Sequence, residues 1–390
     1  MRYSIDIGKY SMNKYHEELC GDHVEMVKTE DGMIIVLSDG LGSGVKANIL
    51  ATLTSKIAIT MLKEGASIEE TISTIANTLP ECQVRKLAYS TFTILEIKET
   101  GEAYMVEYDN PPVFYYRKGE AFPLHKRTRT INNKVIYESN FQMRLGDTLV
   151  IISDGVVHAG VGMTLNLGWQ WEHIDQYLTD LVRVEQEAPM IARDLLGVCE
   201  NLYDSRPGDD TTVVAVKLQE RTYLDLFTGP PKDQASDGLL VEQIKAARGK
   251  VVLCGGTTAN IVARELEEEI CIDLQNYNQK VPPMGYMAGI DLVTEGLLTL
   301  NATKEILSNY LEEKQKGLGV IRIDGLDGAS RLARMLLEES THITFWVGQA
   351  INPAHQNPDF PANFNLKNSV VKDVVKLLKV LGKEVEVHHL

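Results

Sequence analysis

Two apolar segments of the chain end in the same three residues, Ser-Asp-Gly. One covers residues 32–38 and runs into Asp39, and the other covers residues 147–153 and runs into Asp154. Each segment is short, apolar and followed by a turn signal, which is typical of a buried strand. A carboxylate in that position is fixed by rigid backbone, and the glycine after it allows a sharp turn. Asp-Gly is also a common turn, so one such motif by itself predicts only the end of a strand.

Two further aspartates stand in comparable positions in the same half of the chain. Asp22 occurs in Cys-Gly-Asp-His, and Asp209 occurs in Pro-Gly-Asp-Asp. Carboxylates that converge without basic partners repel one another, and hard divalent cations such as Mg²⁺ or Mn²⁺ remove that repulsion. The repetition within one half favours a shared metal site over four unrelated turns. We therefore predict that Asp22, Asp39, Asp154 and Asp209 meet around such ions.

The charge balance agrees with a protein that binds cations. Among the 390 residues, 39 Lys and Arg stand against 54 Asp and Glu, so the net charge is -15. This balance argues against a nucleic acid or a membrane surface as partner, since both attract basic patches. The five cysteines are scattered without the spacing of a zinc site. We find neither an apolar run of about 18 residues nor an apolar leader, which predicts a cytoplasmic protein with reduced thiols.

The pattern of predicted strands and helices changes beyond the middle of the chain. The length suits two domains at about 150 residues each. Residues 1–222 mix β-rich segments with helical patterns, one of which begins with a capping box at Ser67 and Glu70. Residues 223–390 alternate between short strands and helices, which predicts βαβ units and a mostly parallel sheet. A turn-rich stretch at residues 228–238 is a candidate linker.

The acidic motifs, in their order along the chain, resemble those of the metal-dependent type 2C (PPM) serine/threonine protein phosphatases. The resemblance is closest to the bacterial SpoIIE-like branch and extends over about the first 220 residues. It implies an α+β fold in which two antiparallel sheets form a sandwich flanked by helices, followed here by a second α/β domain. The segments that carry the resemblance are Gly21-Asp22, Leu37–Gly44, Asn110–Pro112, Phe114–Gly119, Gly146–Val156 and Gly208–Val214.

The resemblance also implies a role for each acidic residue. Asp39 would bridge two metal ions, Mn²⁺ or Mg²⁺, and the backbone carbonyl of Gly40 would complete one of the two sites. Asp154 and Asp209 would hold the other ion, and Asp22 would act through a metal-bound water. A water held between the ions would attack phosphoserine or phosphothreonine without a covalent enzyme intermediate. The implied substrates are bacterial phosphoproteins of sporulation or stress signalling, such as anti-anti-sigma-type (STAS) regulators.

Basic and proton-transferring groups are less well defined by the sequence. No counterpart of the phosphate-binding arginine of eukaryotic members is identifiable, and Arg2, Lys9 and Lys14 are candidates only through their proximity to the first motif. His23 follows the first acid and is a candidate general acid, and His158 lies close to the third acidic motif. Imidazole titrates near neutral pH, which suits proton transfer to a leaving seryl oxygen. The alternative for both is an ordinary polar loop histidine.

The second domain contains one candidate ligand site. The predicted strand at residues 251–254 runs into Gly-Gly-Thr-Thr and then a helix, and the N–H groups at a helix N-terminus attract anions. The turn lacks a P-loop lysine and the GxGxxG spacing, so it does not predict a nucleotide site, and a capped helix start is the alternative. In a parallel sheet, neighbouring loops gather at the carboxyl ends of the strands. The candidate residues for a small anionic ligand are Gly255, Gly256, Thr257, Thr258, Asp291, Glu295, Asn352 and His355.

Two other functions are compatible with this sequence. The first domain could be a catalytically silent binding module with a phosphatase fold, although all the expected acidic residues are present. The active site could instead lie in the C-terminal domain, which we otherwise expect to regulate the phosphatase or to bind a ligand. The sequence predicts no nucleic-acid or membrane partner, and it is compatible with a homodimer.

Overall fold

The structure, a computed structural model, forms two compact units, Met1–Glu220 and Arg221–Leu390. Each unit has its own sheets and its own hydrophobic core. The residues that the structure describes are 2–78, 90–185, 187–276, 281–315, 323–350 and 363–390.

Two antiparallel sheets build the first unit. Sheet 1 consists of β1 (Ser4–Met12), β6 (Phe114–Arg117), β7 (Glu120–Ala121), β10 (Thr148–Ile152) and β11 (Thr211–Gln219), in the spatial order β1-β11-β10-β6-β7. Sheet 2 consists of β2 (Asp22–Lys28), β3 (Gly32–Gly40), β4 (Ser90–Lys98), β5 (Glu102–Tyr108), β8 (Arg127–Ile131) and β9 (Lys134–Gln142), in the order β2-β3-β4-β5-β9-β8. The predicted α+β class with antiparallel sheets is confirmed.

Helices cover the outer faces of both sheets. α1 (Gly44–Lys63) and α2 (Ile68–Thr78) pack on sheet 2, whereas α4 (Trp171–Val184) and α5 (Ala188–Leu202) pack on sheet 1. The short α3 (Asp154–Val157) follows β10 directly. The first unit is therefore a sandwich of two sheets with a helical layer on either side.

The alternation of side chains along each strand explains this layering. In β3, Ile35 and Leu37 point into the core between the two sheets, and Ile34 and Val36 point into the core beneath α1 and α2. β11 divides its buried residues in the same way between the inter-sheet core and the core beneath α5. Strands buried on both faces need continuous apolar runs, which is why the sequence showed them clearly.

The predicted capping box starts α2. The backbone N–H of Ser67 donates to Glu70 Oε2 at 2.9 Å, and the backbone N–H of Glu70 donates to Ser67 Oγ at 3.2 Å. Two N–H groups that the first helical turn leaves without partners are thus satisfied reciprocally, as the sequence motif predicted.

α1 is the one described helix whose length and hydropathy would allow it to cross a membrane. In this structure it lies against sheet 2 and contributes Leu50, Ala58 and Ile59 to the core beneath it. These are the contacts of a helix that packs on a sheet.

Two elements of the first unit differ from the sequence prediction. The polar residues that follow β1 predict a loop, but residues 22–28 form β2, in which Val24 and Met26 face the core between the sheets. α4 was not predicted, because its buried residues Ile174, Leu178 and Val182 are separated by polar ones. Their spacing of four residues is the helical signal that the sequence contained.

The second unit contains one mixed sheet, sheet 3. Its strands are β12 (Tyr223–Thr228), β13 (Lys250–Cys254), β14 (Cys271–Ile272), β15 (Gly285–Met287), β16 (Ile290–Thr294), β17 (His342–Val347) and β18 (Glu384–His389), in the order β14-β15-β16-β13-β12-β17-β18. The described helices are α6 (Asp237–Ala246), α7 (Gly256–Leu266), α8 (Leu297–Gln315), α9 (Gly328–Leu337) and α10 (Asn363–Val380).

Five strands of sheet 3, from β16 through β13, β12 and β17 to β18, are parallel, which confirms a mostly parallel sheet. From β12 the chain proceeds to β13 and β16 on one side, then returns to β17 and β18 on the other. The stretch at residues 228–238 is not a linker between units, because β12 precedes it within sheet 3. The apolar pattern of residues 320–323 also predicts a strand, but this segment lies almost wholly outside the described residues.

We predict that a fragment of residues 1–220 folds by itself, because all three cores of the first unit lie within it. Circular dichroism should show one cooperative thermal transition for this fragment. A fragment of residues 1–205 is the matched control, and it should not fold, since it lacks the β11 strand that lies between β1 and β10. Two fragments that both melt without cooperativity would contradict the prediction.

Candidate metal centre

The first two predicted acids lie opposite each other on neighbouring strands. Asp22 is the first residue of β2, and it pairs in antiparallel register with Asp39 near the end of β3. Val24 and Leu37 form another pair of this ladder, and both point into the core between the sheets. Since side chains two residues apart share a face, Asp22 and Asp39 project from sheet 2 toward sheet 1.

The other two predicted acids come from the matching end of sheet 1. Asp154 follows β10 as the first residue of α3, and Asp209 lies two residues before the start of β11. The charges of Asp22, Asp154 and Asp209 all act on Asp39, and the Asp154 side chain also contacts it. The structure therefore brings the four predicted aspartates together at one end of the sandwich.

Burial and mutual repulsion disfavour the charged forms of these carboxyls. Burial, reinforced by the charges of Asp22, Asp154 and Asp209, raises the pKa of Asp39 to about 9. Burial also raises the pKa of Asp22 to about 7, with further contributions from Asp210 and Asp154. The pKa of Asp209 is raised by burial and by Asp154, although Lys14 opposes the shift. The cluster thus contains more negative charge than its protein surroundings neutralise.

The serine of the second Ser-Asp-Gly motif positions the first acid. Ser153 Oγ donates a hydrogen bond to Asp22 Oδ2 at 2.7 Å and accepts one from the backbone N–H of Thr212 at 2.8 Å. The other oxygen of this carboxylate, Asp22 Oδ1, is buried and has no hydrogen-bond partner. A buried acceptor without a donor is costly, and a bound water or cation would satisfy it.

The serine of the first motif has a similar structural role. Ser38 Oγ lies 2.5 Å from Ser90 Oγ, and Ser90 Oγ donates to the backbone carbonyl of Asp39 at 2.8 Å. These bonds join β3 to β4 at the point where the acidic residue leaves the sheet. Both serines therefore anchor the backbone or the side chain of an acid.

Gly40 is required by packing. A side chain on this residue would overlap the carbonyl oxygen of Ala47 on α1, and the Gly40 N–H donates to the carbonyl of Gly21 at 3.1 Å. The absence of a side chain therefore lets α1 approach the end of β3 closely. The predicted use of the Gly40 carbonyl as a metal ligand stays a prediction.

The sequence reasoning missed Asp210. This residue is 4% exposed, its Oδ1 accepts the backbone N–H of Lys14 at 3.0 Å, and its Oδ2 is buried without a partner. A Cβ atom placed on Gly21 would lie only 2.7 Å from that Oδ2, so this carboxylate packs against the Gly21 backbone. Asp210 thus joins the segment before β2 to the start of β11. The doubled aspartate in Pro-Gly-Asp-Asp was the signal that could have revealed it.

Of the three basic candidates, only Lys14 reaches the acidic cluster. Its Nζ lies 3.9 Å from Asp209 Oδ1. Arg2 instead pairs with Glu99 at 3.8 Å, and Lys9 donates to a backbone carbonyl of β2. Lys14 is therefore the cation best placed to meet a phosphate beside the acids.

The two candidate histidines lie in different surroundings. His23 follows Asp22 on β2, so its side chain lies on the opposite face of sheet 2, where Nδ1 is 2.8 Å from Ser55 Oγ of α1. Burial also lowers the pKa of His23, which disfavours the protonated form that a general acid needs. The geometry therefore corrects the assignment of His23 as the general acid. His158 is exposed at the end of α3.

The donor set fits a hard divalent cation. Among the described residues, no group of three or more His, Cys, Asp and Glu side chains is placed so that it could hold a metal ion. Mg²⁺ does not need such a group, because it is commonly bound through one or two carboxylates and keeps several waters. The clustered groups are carboxylates, and two buried oxygens, Asp22 Oδ1 and Asp210 Oδ2, lack partners. These features suit Mg²⁺ or Mn²⁺ better than zinc, which prefers thiolate and imidazole.

The predicted residues of the second unit do not all lie together. Gly255–Thr258 form the N-terminus of α7, and Glu295 follows β16 at the same edge of sheet 3. Asp291 lies toward the other end of β16, where its Oδ2 accepts the backbone N–H of Val251 at 2.8 Å. Asn352 and His355 lie outside the described residues.

Comparison with solved structures returned phosphatase domains at low identity. The phosphatase domain of SpoIIE from Bacillus subtilis is 21% identical with a TM-score of 0.43, and the match covers 57% of this chain and 95% of that one. The RsbU and RsbW domains of a Mycobacterium tuberculosis protein are 15% identical with a TM-score of 0.47, covering 63% and 68%. RsbX in complex with magnesium is 20% identical with a TM-score of 0.41, covering 55% and 96%.

Comparison with curated protein sequences gave no match. Comparison with family models did: residues 29–219 match the model described as Stage II sporulation protein E (SpoIIE). This segment contains three of the four predicted acids and extends to the last residue of β11. The first unit of the chain therefore belongs to the SpoIIE family of PP2C-type phosphatase domains.

Proposed function

We propose that the first unit is a metal-dependent protein phosphatase that hydrolyses phosphoserine or phosphothreonine. The observation that carries the proposal is the convergence of four aspartates whose repulsion the protein leaves uncompensated. Asp39 would contact two Mg²⁺ or Mn²⁺ ions, with the Gly40 carbonyl on one and Asp154 and Asp209 on the other. When bound, such ions lower the pKa of water and neutralise phosphate oxygens.

The remaining groups of the site would orient the reactants. Ser153 holds one oxygen of Asp22, so that the free Oδ1 can accept a hydrogen bond from water at a fixed position. Lys14 Nζ, beside Asp209, can pair with a phosphate oxygen at the edge of the cluster. Positioning and electrostatic stabilisation are the main protein contributions to phosphoryl transfer, and these groups would supply both.

The proposed substrate is a phosphoprotein of bacterial signalling. Membership of the SpoIIE family supports this class, and an anti-anti-sigma-type (STAS) regulator is the specific candidate. We further propose a cytoplasmic location and a regulatory or ligand-binding role for the second unit. The fold of sheet 3, with its strand ends available for loops, supports that role.

Replacement of Asp39 by asparagine tests the catalytic proposal. We expect Asp39→Asn to lower the hydrolysis of p-nitrophenyl phosphate by at least about a thousandfold, because the residue would contact both ions. Asp180→Asn, on the exposed surface of α4, is the matched control and should keep wild-type activity. The measurement is the initial rate with saturating Mn²⁺.

The same assay separates the alternatives. Wild-type protein that binds Mn²⁺ but hydrolyses nothing would indicate a catalytically silent binding module. If Asp39→Asn retained activity within a few-fold of wild type, the active site would lie elsewhere, and residues 221–390 would be the next candidate.

Metal choice provides a second test. Mg²⁺ or Mn²⁺ should restore activity to chelated protein, whereas Ca²⁺ should bind but support little turnover. Ca²⁺ is larger and accepts looser coordination, so it would position water and phosphate poorly. Phosphate release should be measured after dialysis against EDTA and addition of each chloride salt. Undiminished turnover in excess EDTA would exclude the proposed mechanism.

The electrostatics predict how pH changes the stability of the metal-free protein. Folding raises the pKa of Asp22 to about 7 and that of Asp39 to about 9, from 3.8, so the folded state binds more protons than the unfolded one. Stability contributed by these protons is present at low pH and is lost as pH rises through these values. The Tm in EDTA should therefore fall between about pH 5 and about pH 9.

Asp39→Asn should flatten this fall and raise the metal-free Tm near pH 8, since an asparagine neither takes up a proton nor buries a charge when the protein folds at that pH. Added Mg²⁺ should raise the Tm of the wild type more than that of the variant. Differential scanning calorimetry provides the comparison, with Asp180→Asn as the control that follows the wild type. Identical pH profiles for wild type and Asp39→Asn would show that the carboxylates do not repel one another as described.

A further inference from the structure

The strand ends of sheet 3 form a glycine-lined edge at the point where the chain reverses direction across the sheet. Gly229 follows β12, Gly255 follows β13, Gly296 lies two residues after β16, and Gly348 follows β17. Parallel pairing sets Thr228 beside Cys254 and beside the last residue of β17, so these turns are neighbours. In open parallel sheets, ligands bind outside the carboxyl ends of the strands at such a switch point.

Two helices begin at this edge, and each has an unsatisfied hydroxyl in its first turn. Thr258 Oγ1 of α7 and Thr299 Oγ1 of α8 are both buried without a hydrogen-bond partner, and both residues are 0% exposed. A Cβ atom placed on Gly255 would lie 3.4 Å from Thr258 Oγ1, so this hydroxyl faces the turn. The two turns are in contact, since a Cβ atom placed on Gly296 would lie 3.3 Å from the Cα of Gly255.

The N-terminus of α7 has no side-chain cap. Its N-cap residue is Gly255, which has a φ of 145° and no hydroxyl or carboxylate to offer. In an α-helix the first N–H groups have no partners within the helix, and they favour a negative charge. α8 differs, because Glu295 Oε2 accepts the backbone N–H of Leu298 at 3.1 Å. That carboxylate, which follows β16 at this edge, is thus engaged by α8.

A lysine lies at the same edge, on the other side of the switch point. Lys367 Nζ of α10 donates to the Gly348 carbonyl at 2.9 Å and occupies the space that a side chain on Gly229 would fill. Among the described residues no carboxylate pairs with this ammonium, which is partly buried. Burial lowers the pKa of Lys367, and a negative ligand would compensate that cost.

We propose that this edge of sheet 3 binds a phosphate group, either inorganic phosphate or the phosphate of a small organic ester. The α7 N-terminus would supply N–H donors, Thr258 would supply a hydroxyl donor, and Lys367 would supply the positive charge. Donors of these three kinds, with no free carboxylate among them, select an anion. The site is independent of the aspartate cluster of the first unit and does not rest on the phosphatase proposal.

Titration of the full chain with inorganic phosphate by isothermal calorimetry tests this site. The experiment is done in EDTA, so that no divalent cation can bind phosphate at the aspartate cluster, and at constant ionic strength. We expect saturable binding by wild type, and Lys367→Met should weaken it by at least about tenfold, since it removes a charge-assisted hydrogen bond. Lys372→Met, on the exposed side of the same helix, should bind phosphate like the wild type.

Thr258→Val provides a second variant of nearly unchanged shape. It should weaken phosphate binding by about three- to tenfold, since it removes a single hydroxyl donor. Lys367→Met should also keep or raise the phosphate-free Tm, because it removes a buried charge that has no counter-ion. A Lys367 with a purely structural role would lower the Tm instead and leave the affinity of folded protein unchanged.

Glycerol 3-phosphate distinguishes the two sources of the phosphate group. Binding of both ligands with the same loss in Lys367→Met indicates a site open to an organic ester, and binding of inorganic phosphate alone indicates a closed one. Either result supports the proposal. It is overturned if wild type binds neither ligand up to about 20 mM, a concentration that would detect even weak association. It is also overturned if all variants bind alike.

Discussion

Repulsion among buried carboxylates is the constraint on which the first unit depends. Asp22 and Asp39 lie side by side on neighbouring strands of sheet 2. Asp154 and Asp209 approach them from sheet 1. Strand ends suit such a cluster, because rigid backbone fixes the position of each side chain. Around the cluster the protein uses neutral donors such as Ser153, which orient a carboxylate without neutralising it. The charge is left for a cation to balance.

The two units use strand ends in opposite electrostatic senses. In the first unit the strand ends carry carboxylates and leave acceptor oxygens such as Asp22 Oδ1 without donors. In the second unit they carry glycines, a helix N-terminus and Lys367, and they leave donor hydroxyls without acceptors. A site that lacks donors binds cations, and a site that lacks acceptors binds anions. We therefore propose a centre for each sign of charge within one chain.

The features that could be read from the sequence were those that depend on local chemistry. Apolar runs that end in Ser-Asp-Gly indicated the acidic strand ends, and alternating strands and helices indicated the parallel sheet. What could not be read depended on contacts between distant residues. His23 looked like a partner of Asp22 until the pairing of β2 with β3 placed it on the other face. Lys367 lies over a hundred residues beyond the Gly255 turn at the start of α7, and no local pattern connects the two.

The pairing of β1 with β11 has a consequence for the synthesis of the chain. Among the described strands β1 has only this one neighbour, and the ladder joins Ser4 to Gln219. On the ribosome β1 is therefore made first and must wait unpaired until the last strand of the unit has emerged. Asp209 lies two residues before that strand, so the four aspartates come together only when sheet 1 closes. Slow, non-local closure of this kind leaves an exposed β-edge, for which chaperones that bind extended segments are the natural safeguard.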